Sequence, residues 1–360
     1  MRDPGDASGV VRLIESGAVQ AEEIVAIFGK TEGNGCVNDF TRAYAATALK
    51  AALAALMGSS PAAVGDRVAT VMSGGTEGGL SPHFLVLAKR KVPNAASAGK
   101  SLAIGTAFTR ELLPEELGGM TQLKLTAEAV RAAMAEAVIE DVADVHFVQV
   151  KCPLLTTERI AEAAGRGGRV VTTDTYESMG RSRGASALGV ALALGEVEAT
   201  ALSNDVVCRR PDLWSGRASA SAGVELMRNE VVVLGNSAAW ASEEVIGHRV
   251  MQDGIDLPAI VGVLADVGLE VRGQLDATQA ARVTAVLAKA EPSRAGTIRG
   301  ARHIMWDDSD IHASRHARAL VGGVAAGIIG RTDLFISGGA EHQGPDGGGP
   351  VAVIAKRQPG

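Results

Sequence analysis

The spacing of apolar and polar positions along the chain predicts a mixture of helices and short buried strands. Residues 125–141 place apolar side chains three and four positions apart, as in an amphipathic helix. Residues 145–150, VHFVQV, form a short apolar run typical of a buried strand, and residues 157–165 predict a further helix that the following glycines end. Similar apolar runs occur at residues 67–72, 229–237 and 333–336. The whole pattern indicates the α+β class.

Three of the strand-like segments adjoin the same five-residue pattern, Ser-[Gly/Ala]-Gly-x-Glu. The pattern occurs at residues 73–77, 221–225 and 337–341. A single copy would be weak evidence for a functional motif, because serine and glycine are ordinary turn residues. Three copies in one chain indicate an internal repeat.

Each copy of the pattern is preceded by an arginine and, further upstream, by a lysine. The arginines lie in segments rich in small residues, and each is expected near the start of a helix. They are Arg42, Arg183 and Arg318, with Arg315 as an alternative for the third. The lysines are Lys30, Lys151 and Lys289.

The repeated order of lysine, arginine and serine predicts three homologous units. We place them at residues 1–93, 99–243 and 249–360, with residues 91–101 as the first linker. Each unit is expected to contain a small sheet with helices. The three units are expected to pack with pseudo-threefold symmetry around a central site, because repeats related in this way bring equivalent residues to one axis.

Composition and charge narrow the classes of function. The 360 residues carry a formal net charge of −6 and only 3% aromatic side chains, which argues against a nucleic acid partner. The 46% of hydrophobic residues can form a large core, but the chain has no secretory signal and no apolar run long enough for a membrane span. We therefore expect a cytoplasmic protein. Three cysteines, Cys36, Cys152 and Cys208, are too scattered for a disulfide framework or a zinc site.

Three sets of lysine, arginine and serine around one axis would form a cationic pocket for a flat ring with three carbonyl oxygens. Arginines can bind such oxygens, and small residues after each serine leave room for backbone N–H donors. A lysine held among other cations and away from water has a lowered pKa, so its neutral amine can take the proton of a serine hydroxyl. The predicted reaction is hydrolysis of a small cyclic imide.

The three lysines differ in their predicted surroundings. Lys151 ends an apolar strand, which favours a buried amine, whereas Lys30 lies among glycines and Lys289 is expected near the end of a helix, both closer to solvent. On these grounds we prefer Lys151 with Ser221 as the catalytic pair. The competing interpretation is structural, with serines that end strands, lysines in solvent, and arginines in ion pairs. Their partners would be the glutamates of the pattern, Glu77, Glu225 and Glu341.

Four segments of the chain resemble the ring-opening amidohydrolases, the family that comprises cyanuric acid hydrolase and barbiturase. They are GKTEGNGCVNDFTR at residues 29–42, MSGGTEG at 72–78, SMGRSRGASALGVALALGE at 178–196 and SGGAEHQGPDGGGP at 337–350. The likeness spans nearly the whole chain. It implies three concatenated units around one active site, a homotetramer, and a serine–lysine mechanism rather than a metal-activated water. It also implies that Ser221 is the nucleophile and Lys151 its base.

The resemblance further implies a set of substrate-binding residues drawn from all three units. They are Arg42, Ser73, Gly74, Arg183, Ser221, Ala222, Arg318, Ser337 and Gly338, and the repeated pattern adds Lys30 and Lys289. No cofactor is expected to take part in the chemistry.

A structural Mg²⁺ or Ca²⁺ in the last unit is also implied by the resemblance. Its carboxylate ligand would be Glu291, and carbonyl oxygens around one loop would supply the rest. That loop contains Ala340, Gln343, Gly344, Pro345 and Gly348. The nearby histidines, His303, His312, His316 and His342, are too irregularly spaced for a zinc site.

A ring with three equivalent carbonyls matches cyanuric acid better than barbiturate, in which carbon replaces one ring nitrogen. We therefore predict hydrolysis of one ring amide of cyanuric acid to carboxybiuret, which would lose CO₂ to leave biuret. Opening of barbiturate to ureidomalonate is the alternative reaction. A protein that binds heterocyclic anions without turnover is the alternative from another class.

Overall fold

The described residues form three main sheets of similar construction, and each of them contains one pair of parallel strands. The computed structural model describes residues 1–93 and 99–358. Successive stretches of the chain supply the three sheets, and helices lie between the strands in each stretch. The α+β class expected from the sequence is confirmed.

The first sheet has the strand order β2-β1-β3, with β1 and β2 parallel. Its stretch contains α1 (Ser8–Glu15), β1 (Ile24–Thr31), α2 (Phe40–Met57), α3 (Pro61–Gly65), β2 (Ala69–Gly74) and β3 (His83–Ala88). The carboxylate of Asp39 begins α2 by accepting the Thr41 N–H, and Gly58 ends it in the left-handed conformation. This helix carries Arg42 towards the sheet edge where β1 and β2 end.

The second sheet has the order β4-β7-β5-β6, with β5 and β6 parallel. Its stretch contains β4 (Ser101–Phe108), α4 (Met120–Glu136), β5 (Val145–Pro153), α5 (Thr157–Gly165), α6 (Thr175–Ala193), β6 (Ala218–Gly223) and β7 (Glu230–Ser237). The strand predicted at 145–150 and the helix at 157–165 are confirmed. The helix predicted at 125–141 is present as α4, which starts and ends earlier than expected.

The third sheet has the order β12-β9-β13-β8, with β9 and β12 parallel. Its stretch contains β8 (Glu244–Met251), α7 (Leu257–Asp266), α8 (Ala277–Arg282), β9 (Val283–Ala290), β10 (Thr297–Ile298), β11 (Ala301–Arg302), α9 (Ala313–Ile329), β12 (Phe335–Gly338) and β13 (Gly349–Lys356). The short strands β10 and β11 form a separate hairpin.

The three sheets share one apolar centre. It contains Phe28 of β1, Phe147 of β5 and Phe335 of β12, together with apolar side chains of β7 and β13. The three phenylalanines are at most 1% exposed, and the ring centroids of Phe28 and Phe335 are 5.6 Å apart. Burial of one such side chain stabilises a fold by about 1.5–3 kcal/mol. Further clusters lie between each sheet and its own helices, so the sheets are held both separately and jointly.

Two placements expected from the sequence are wrong. Arg183 lies near the middle of α6, because Asp174 begins that helix earlier by accepting two backbone N–H groups. Lys289 lies on strand β9, whereas the preceding helix α8 ends at Arg282. Both errors come from the small residues of these segments, which give little periodic contrast between helix and strand.

The predicted boundary between the second and third units lies near strand β8. Residue 249, the predicted start of the third unit, falls inside β8, which starts at Glu244 and pairs with β13 along its full length. The third sheet therefore begins before the predicted boundary. Residues 94–98 of the predicted linker lie outside the described part of the chain. Within the described ranges, no helix is long and apolar enough to cross a membrane.

Candidate active site

In each sheet a lysine lies beside a serine across the parallel strand pair. The register partners are Lys30 and Ser73 in the first sheet, Lys151 and Ser221 in the second, and Lys289 and Ser337 in the third. Neighbouring strands are about 4.8 Å apart, and partners in register point their side chains to the same face. The backbone alone therefore places each lysine next to its serine.

The three serines meet although they belong to different sheets. Ser337 Oγ lies 3.1 Å from Ser221 Oγ and 3.3 Å from Ser73 Oγ. None of these residues is more than 6% exposed. The structure thus brings the three copies of the repeated pattern together at one buried place.

Two of the lysines contact their own serines. Lys30 Nζ donates to Ser73 Oγ at 3.3 Å, and Lys289 Nζ donates to Ser337 Oγ at 3.2 Å. Both lysines are completely buried, as is Lys151. The expectation that Lys30 and Lys289 lie closer to solvent is therefore wrong, because each lies on a strand that has neighbouring strands on both sides.

Lys151 has a different set of contacts. Its Nζ lies 2.7 Å from Glu225 Oε1 and donates to the Met72 carbonyl at 2.6 Å. No hydrogen bond joins Lys151 to Ser221 in the described residues, and Ser221 Oγ contacts Ser337 Oγ instead. The second lysine–serine pair is thus unlike the other two.

Burial lowers the pKa of all three lysine amines, because it disfavours the charged form. For Lys289 the pKa falls to about 7, with the charge of Arg183 adding to the effect of burial. For Lys151, Glu225 opposes part of the lowering of the pKa. A lowered pKa makes the neutral amine available, which is the form that can take a proton from a hydroxyl.

Two of the arginines form bidentate ion pairs with glutamates that follow a serine of another sheet. Arg318 donates to Glu77 at 2.7 and 2.6 Å, and Arg183 donates to Glu341 at 2.8 and 2.6 Å. Such pairs between arginines and the glutamates of the repeated pattern are those expected if these residues had only a structural role. They also bring two guanidinium groups to the loops that follow Ser73 and Ser337.

Arg42 makes corresponding contacts with the second copy. Its Nη1 donates to the Ala222 carbonyl at 2.6 Å, and its Nη2 donates to the Cys36 carbonyl. The arginine of the first copy therefore contacts the second copy, that of the second contacts the third, and that of the third contacts the first. Arg315 also donates to Glu77, but its side chain is 39% exposed against 4% for Arg318. Arg318 is the arginine at the buried position.

The glycines of the repeated pattern are required by these guanidinium groups. Gly75 has φ 105°, and a Cβ built there would lie 2.6 Å from Arg318 Nε. Gly339 has φ 71°, and its Cβ would lie 2.6 Å from the central carbon of the Arg183 guanidinium. A side chain at either position would be strained and would displace the arginine.

The residues assigned to a cation by the family resemblance begin directly after β9. Glu291 accepts the N–H of Ala340 through Oε2. Burial, together with the charge of the neighbouring Glu341, raises the pKa of Glu291 to about 7. A hard cation would relieve the repulsion between these carboxylates, and carbonyls of the glycine-rich loop suit it, so the residues fit the group. Among the described residues, no three His, Cys, Asp or Glu side chains form a metal-binding group, so such a cation would depend on carbonyl oxygens.

Gln343 connects this loop to the second sheet. Its Oε1 accepts the Ala220 N–H at 2.7 Å, and its Nε2 donates to two carbonyls of its own loop. Lys289 Nζ donates to the Ala220 carbonyl at 3.0 Å. Both backbone groups of the residue before Ser221 are therefore held by the third copy. Gly344, with φ 123°, and Gly348 shape the turn, and the Pro345 carbonyl accepts the Gly348 N–H.

The cysteines and His342 have structural surroundings. Cys152 is buried and all three cysteines are free thiols. His342 accepts the Cys208 N–H at 2.7 Å through Nε2, and its Nδ1 contacts the Leu213 carbonyl. Both ring nitrogens are thus used in holding two loops together.

Sequence reasoning missed several contacts of the site. It considered Glu225 only as an arginine partner, whereas the structure pairs it with Lys151. The signal was present, because Glu225 follows Ser221 by four residues, as the other glutamates follow their serines. Backbone acceptors such as the Met72 and Ala220 carbonyls have no side-chain signature and could not be read from the sequence.

A buried place that brings together serine hydroxyls, lysine amines and arginine guanidinium groups from three sheets is a candidate active site. The comparisons with known proteins agree. A family model described as "Amidohydrolase ring-opening protein" matches residues 1–356. The chain belongs to this family of ring-opening amidohydrolases, as its motifs indicate.

The chain is similar over nearly its full length to several cyanuric acid amidohydrolases. It is 54% identical over 359 residues to the protein of that name from Enterobacter cloacae, and the aligned region covers 99% of this chain and 97% of the relative. It is 56% identical over 357 residues to the protein of that name from Bradyrhizobium diazoefficiens, and this alignment covers 99% of this chain and 96% of the relative.

Two solved structures show the same fold. One, described as "Cyanuric acid hydrolase: evolutionary innovation by structural concatenation", has a TM-score of 0.95 and 51% identity, with 99% of this chain and 97% of that chain covered. The other, a cyanuric acid hydrolase from A. caulinodans, has a TM-score of 0.92 and 53% identity, with 100% and 97% covered. The mixed α+β fold and the enzyme class expected from the sequence are thereby confirmed, whereas the pseudo-threefold symmetry stays a prediction.

Proposed function

We propose that the protein hydrolyses one ring amide of cyanuric acid, with Ser221 as the nucleophile and Lys151 as its base. The observation that carries the proposal is the meeting of three lysine–serine pairs from three sheets at one buried place. The names of the relatives, at 54% and 56% identity, support cyanuric acid as the substrate. Cyanuric acid has three carbonyl oxygens, and each of the three copies offers a lysine, an arginine and a serine as hydrogen-bond donors.

The first half of the reaction needs a neutral Lys151. The amine takes the proton of Ser221 Oγ, and Oγ forms a bond to a ring carbonyl carbon. The bond between that carbon and a ring nitrogen breaks, and the Lys151 ammonium returns its proton to the nitrogen. The register of β5 and β6 pairs Lys151 with Ser221 and places the two side chains next to each other on one face of the sheet. Backbone N–H groups after the serines would stabilise the oxyanion.

The second half of the reaction releases the product. Water attacks the acyl carbon while Lys151 takes one of its protons, and Ser221 Oγ leaves and regains a proton. The product is carboxybiuret, which loses CO₂ to give biuret. The other residues bind the ring: Arg42, Arg183 and Arg318, the pairs Ser73 with Gly74 and Ser337 with Gly338, Ala222, and the amines of Lys30 and Lys289.

A direct assay of two substrates tests the proposal. Purified protein is incubated with cyanuric acid or with barbiturate, and products are identified by mass spectrometry. We expect consumption of cyanuric acid with formation of biuret and CO₂, and a much lower rate with barbiturate. Faster formation of ureidomalonate from barbiturate would reassign the substrate, and consumption of neither ring would contradict the proposed reaction.

We further propose that Glu291 and the carbonyls near Ala340, Gln343, Gly344, Pro345 and Gly348 hold a structural Mg²⁺ or Ca²⁺. The ion would neutralise buried carboxylates and stabilise the loop after Ser337, with no part in bond breaking. The homotetramer and the cytoplasmic location stay predictions.

Removal of the ion is expected to destabilise the protein. Chelator treatment should lower the Tm of the wild type by several degrees, since a ligand that binds only the native state stabilises it. Glu291→Gln should lower the Tm without chelator and make it insensitive to chelator. Glu128→Gln, at an exposed position of α4, is the control and should respond like the wild type. Absence of a stoichiometric divalent ion by elemental analysis of the wild type would contradict this proposal.

A further inference from the structure

The glutamate of the second copy of the pattern is bound differently from the other two. Glu77 and Glu341 each accept two hydrogen bonds from an arginine. Glu225 instead lies 2.7 Å from Lys151 Nζ, and the side chains of both residues are almost fully buried, at 9% and 0% exposure. The second copy is thus the one in which the carboxylate contacts the lysine of its own sheet.

No guanidinium group replaces that contact. Arg42, the arginine that reaches the second copy, donates to the carbonyls of Ala222 and Cys36. Within the described part of the chain, the carboxylate oxygens of Glu225 have no side-chain hydrogen-bond donor other than the amine of Lys151. Burial of a carboxylate that has a single amine as its partner costs free energy of folding. We therefore expect the role of Glu225 to lie in its effect on the Lys151 amine.

We propose that Glu225 is a positioning residue that orients the Lys151 amine and stabilises the ammonium formed when Lys151 takes the Ser221 proton. The inference rests on the proposed function, in which Lys151 is the base. The proton moves from Ser221 Oγ to Lys151 Nζ and then to the ring nitrogen, while Glu225 stays ionised. A buried carboxylate plays a comparable part behind the histidine of serine hydrolases, where it fixes orientation and stabilises the cation without taking the proton.

The charges around the two side chains agree with this role. Burial alone would raise the pKa of Glu225, but Lys151 and Arg42 outweigh it and lower the pKa, so the carboxylate is ionised. Burial lowers the pKa of Lys151 and Glu225 opposes the shift, while the charge of Arg42 lowers this pKa further and the neighbouring Cys152 thiol raises it. Arg159, which donates to the Val224 carbonyl, adds a second positive charge that interacts with Glu225. Glu225 thus favours the charged form of the Lys151 amine, which is the form produced when Lys151 takes the serine proton.

Glu225→Gln tests the proposal through the pH dependence of kcat/KM. The carboxylate favours the charged amine, so its removal lowers the pKa of Lys151 further, and the neutral amine is then present at lower pH. We expect the acidic limb of the profile to move to lower pH, while the plateau value of kcat falls about 100-fold because the ammonium is no longer stabilised. KM should change little. A residue that only supports the fold would lower the plateau without moving the limb.

Glu77→Gln is the matched control, because Glu77 has the same place in the first copy but contacts Arg318 rather than a catalytic amine. We expect it to raise KM and to leave the acidic limb in place. If Glu225→Gln does not fold, as judged by circular dichroism, Glu225→Asp replaces it. The shorter carboxylate weakens the same contact, so the limb should move in the same direction by a smaller amount.

The outcomes separate this proposal from the proposed function. An active Glu225 variant with a lowered plateau and an unmoved limb would overturn the role of Glu225 alone. A limb that moves in Glu77→Gln instead would assign the base to the first copy. A wild type that does not consume cyanuric acid, or a Lys151→Met variant that keeps its activity, would overturn the underlying reaction.

Discussion

Ser221→Ala is expected to lower kcat for cyanuric acid hydrolysis by at least about 10⁴-fold, because removal of a nucleophile leaves only binding and electrostatic effects. The affinity for the ring should change little, since the ring is held by groups of all three copies. The measurement is biuret formation under saturating substrate, with binding of cyanuric acid followed by calorimetry. Stability should be nearly unchanged, because alanine fits wherever serine fits.

The other two serines provide the controls for that experiment. Ser73 and Ser337 occupy corresponding positions beside Lys30 and Lys289. If they only bind the ring, each alanine variant loses one hydrogen bond, which corresponds to a loss of roughly 5- to 150-fold in kcat/KM. A larger loss of kcat in Ser73→Ala than in Ser221→Ala would move the nucleophile to the first copy. Equal collapse of all three variants would remove the special role of the second copy.

Lys151→Met is expected to lower kcat by about 10³- to 10⁴-fold, because the variant keeps the volume of the side chain and loses the base. It should also lower the free energy of unfolding by about 3–5 kcal/mol, since Glu225 is left buried without a counter-charge. Activity is measured as biuret formation and stability by urea denaturation. In the wild type, activity should rise with pH as Lys151 loses its proton, and the lowered pKa places this rise below the usual range of lysine.

A double variant separates the loss of stability from the loss of activity. Lys151→Met with Glu225→Gln removes both charges of the buried pair and should recover most of the stability without recovering activity. Lys30→Met is the control at the corresponding position of the first sheet, and it should keep more activity than Lys151→Met. The reverse order of activities would show that Lys30, which contacts its serine directly, is the base.

The class of fold was predictable because its signals repeat along the chain. Each serine follows or lies near an apolar run, and three copies of one pattern indicated three similar sheets. Errors arose where the sequence gives little periodic contrast. The segment before Lys289 is rich in alanine and valine and predicts the end of a helix, although β9 is a buried strand with neighbours on both sides. Such a strand lacks the alternation that marks a half-exposed one.

The members of the candidate site were more predictable than their contacts. Lysines, arginines and serines could be found by recurrence, and the structure brings all of them close to one another. The differences between copies depend on atoms that the repeat cannot specify. Lys30 and Lys289 donate to their serines, whereas Lys151 is drawn to Glu225 and the Met72 carbonyl. Every copy has a glutamate at the same position of the pattern, so the packing of the sheets determines which cationic side chain each glutamate contacts.

The shared centre of Phe28, Phe147 and Phe335 has a consequence for how the enzyme is made. Contacts such as that between Ser73 and Ser337 join positions 264 residues apart, so they form only after nearly the whole polypeptide has left the ribosome. An incomplete chain would lack both this shared centre and the contacts between the three serines. Synthesis of nearly the whole chain is therefore required before the site can form, and a partly synthesised molecule is expected to be inactive.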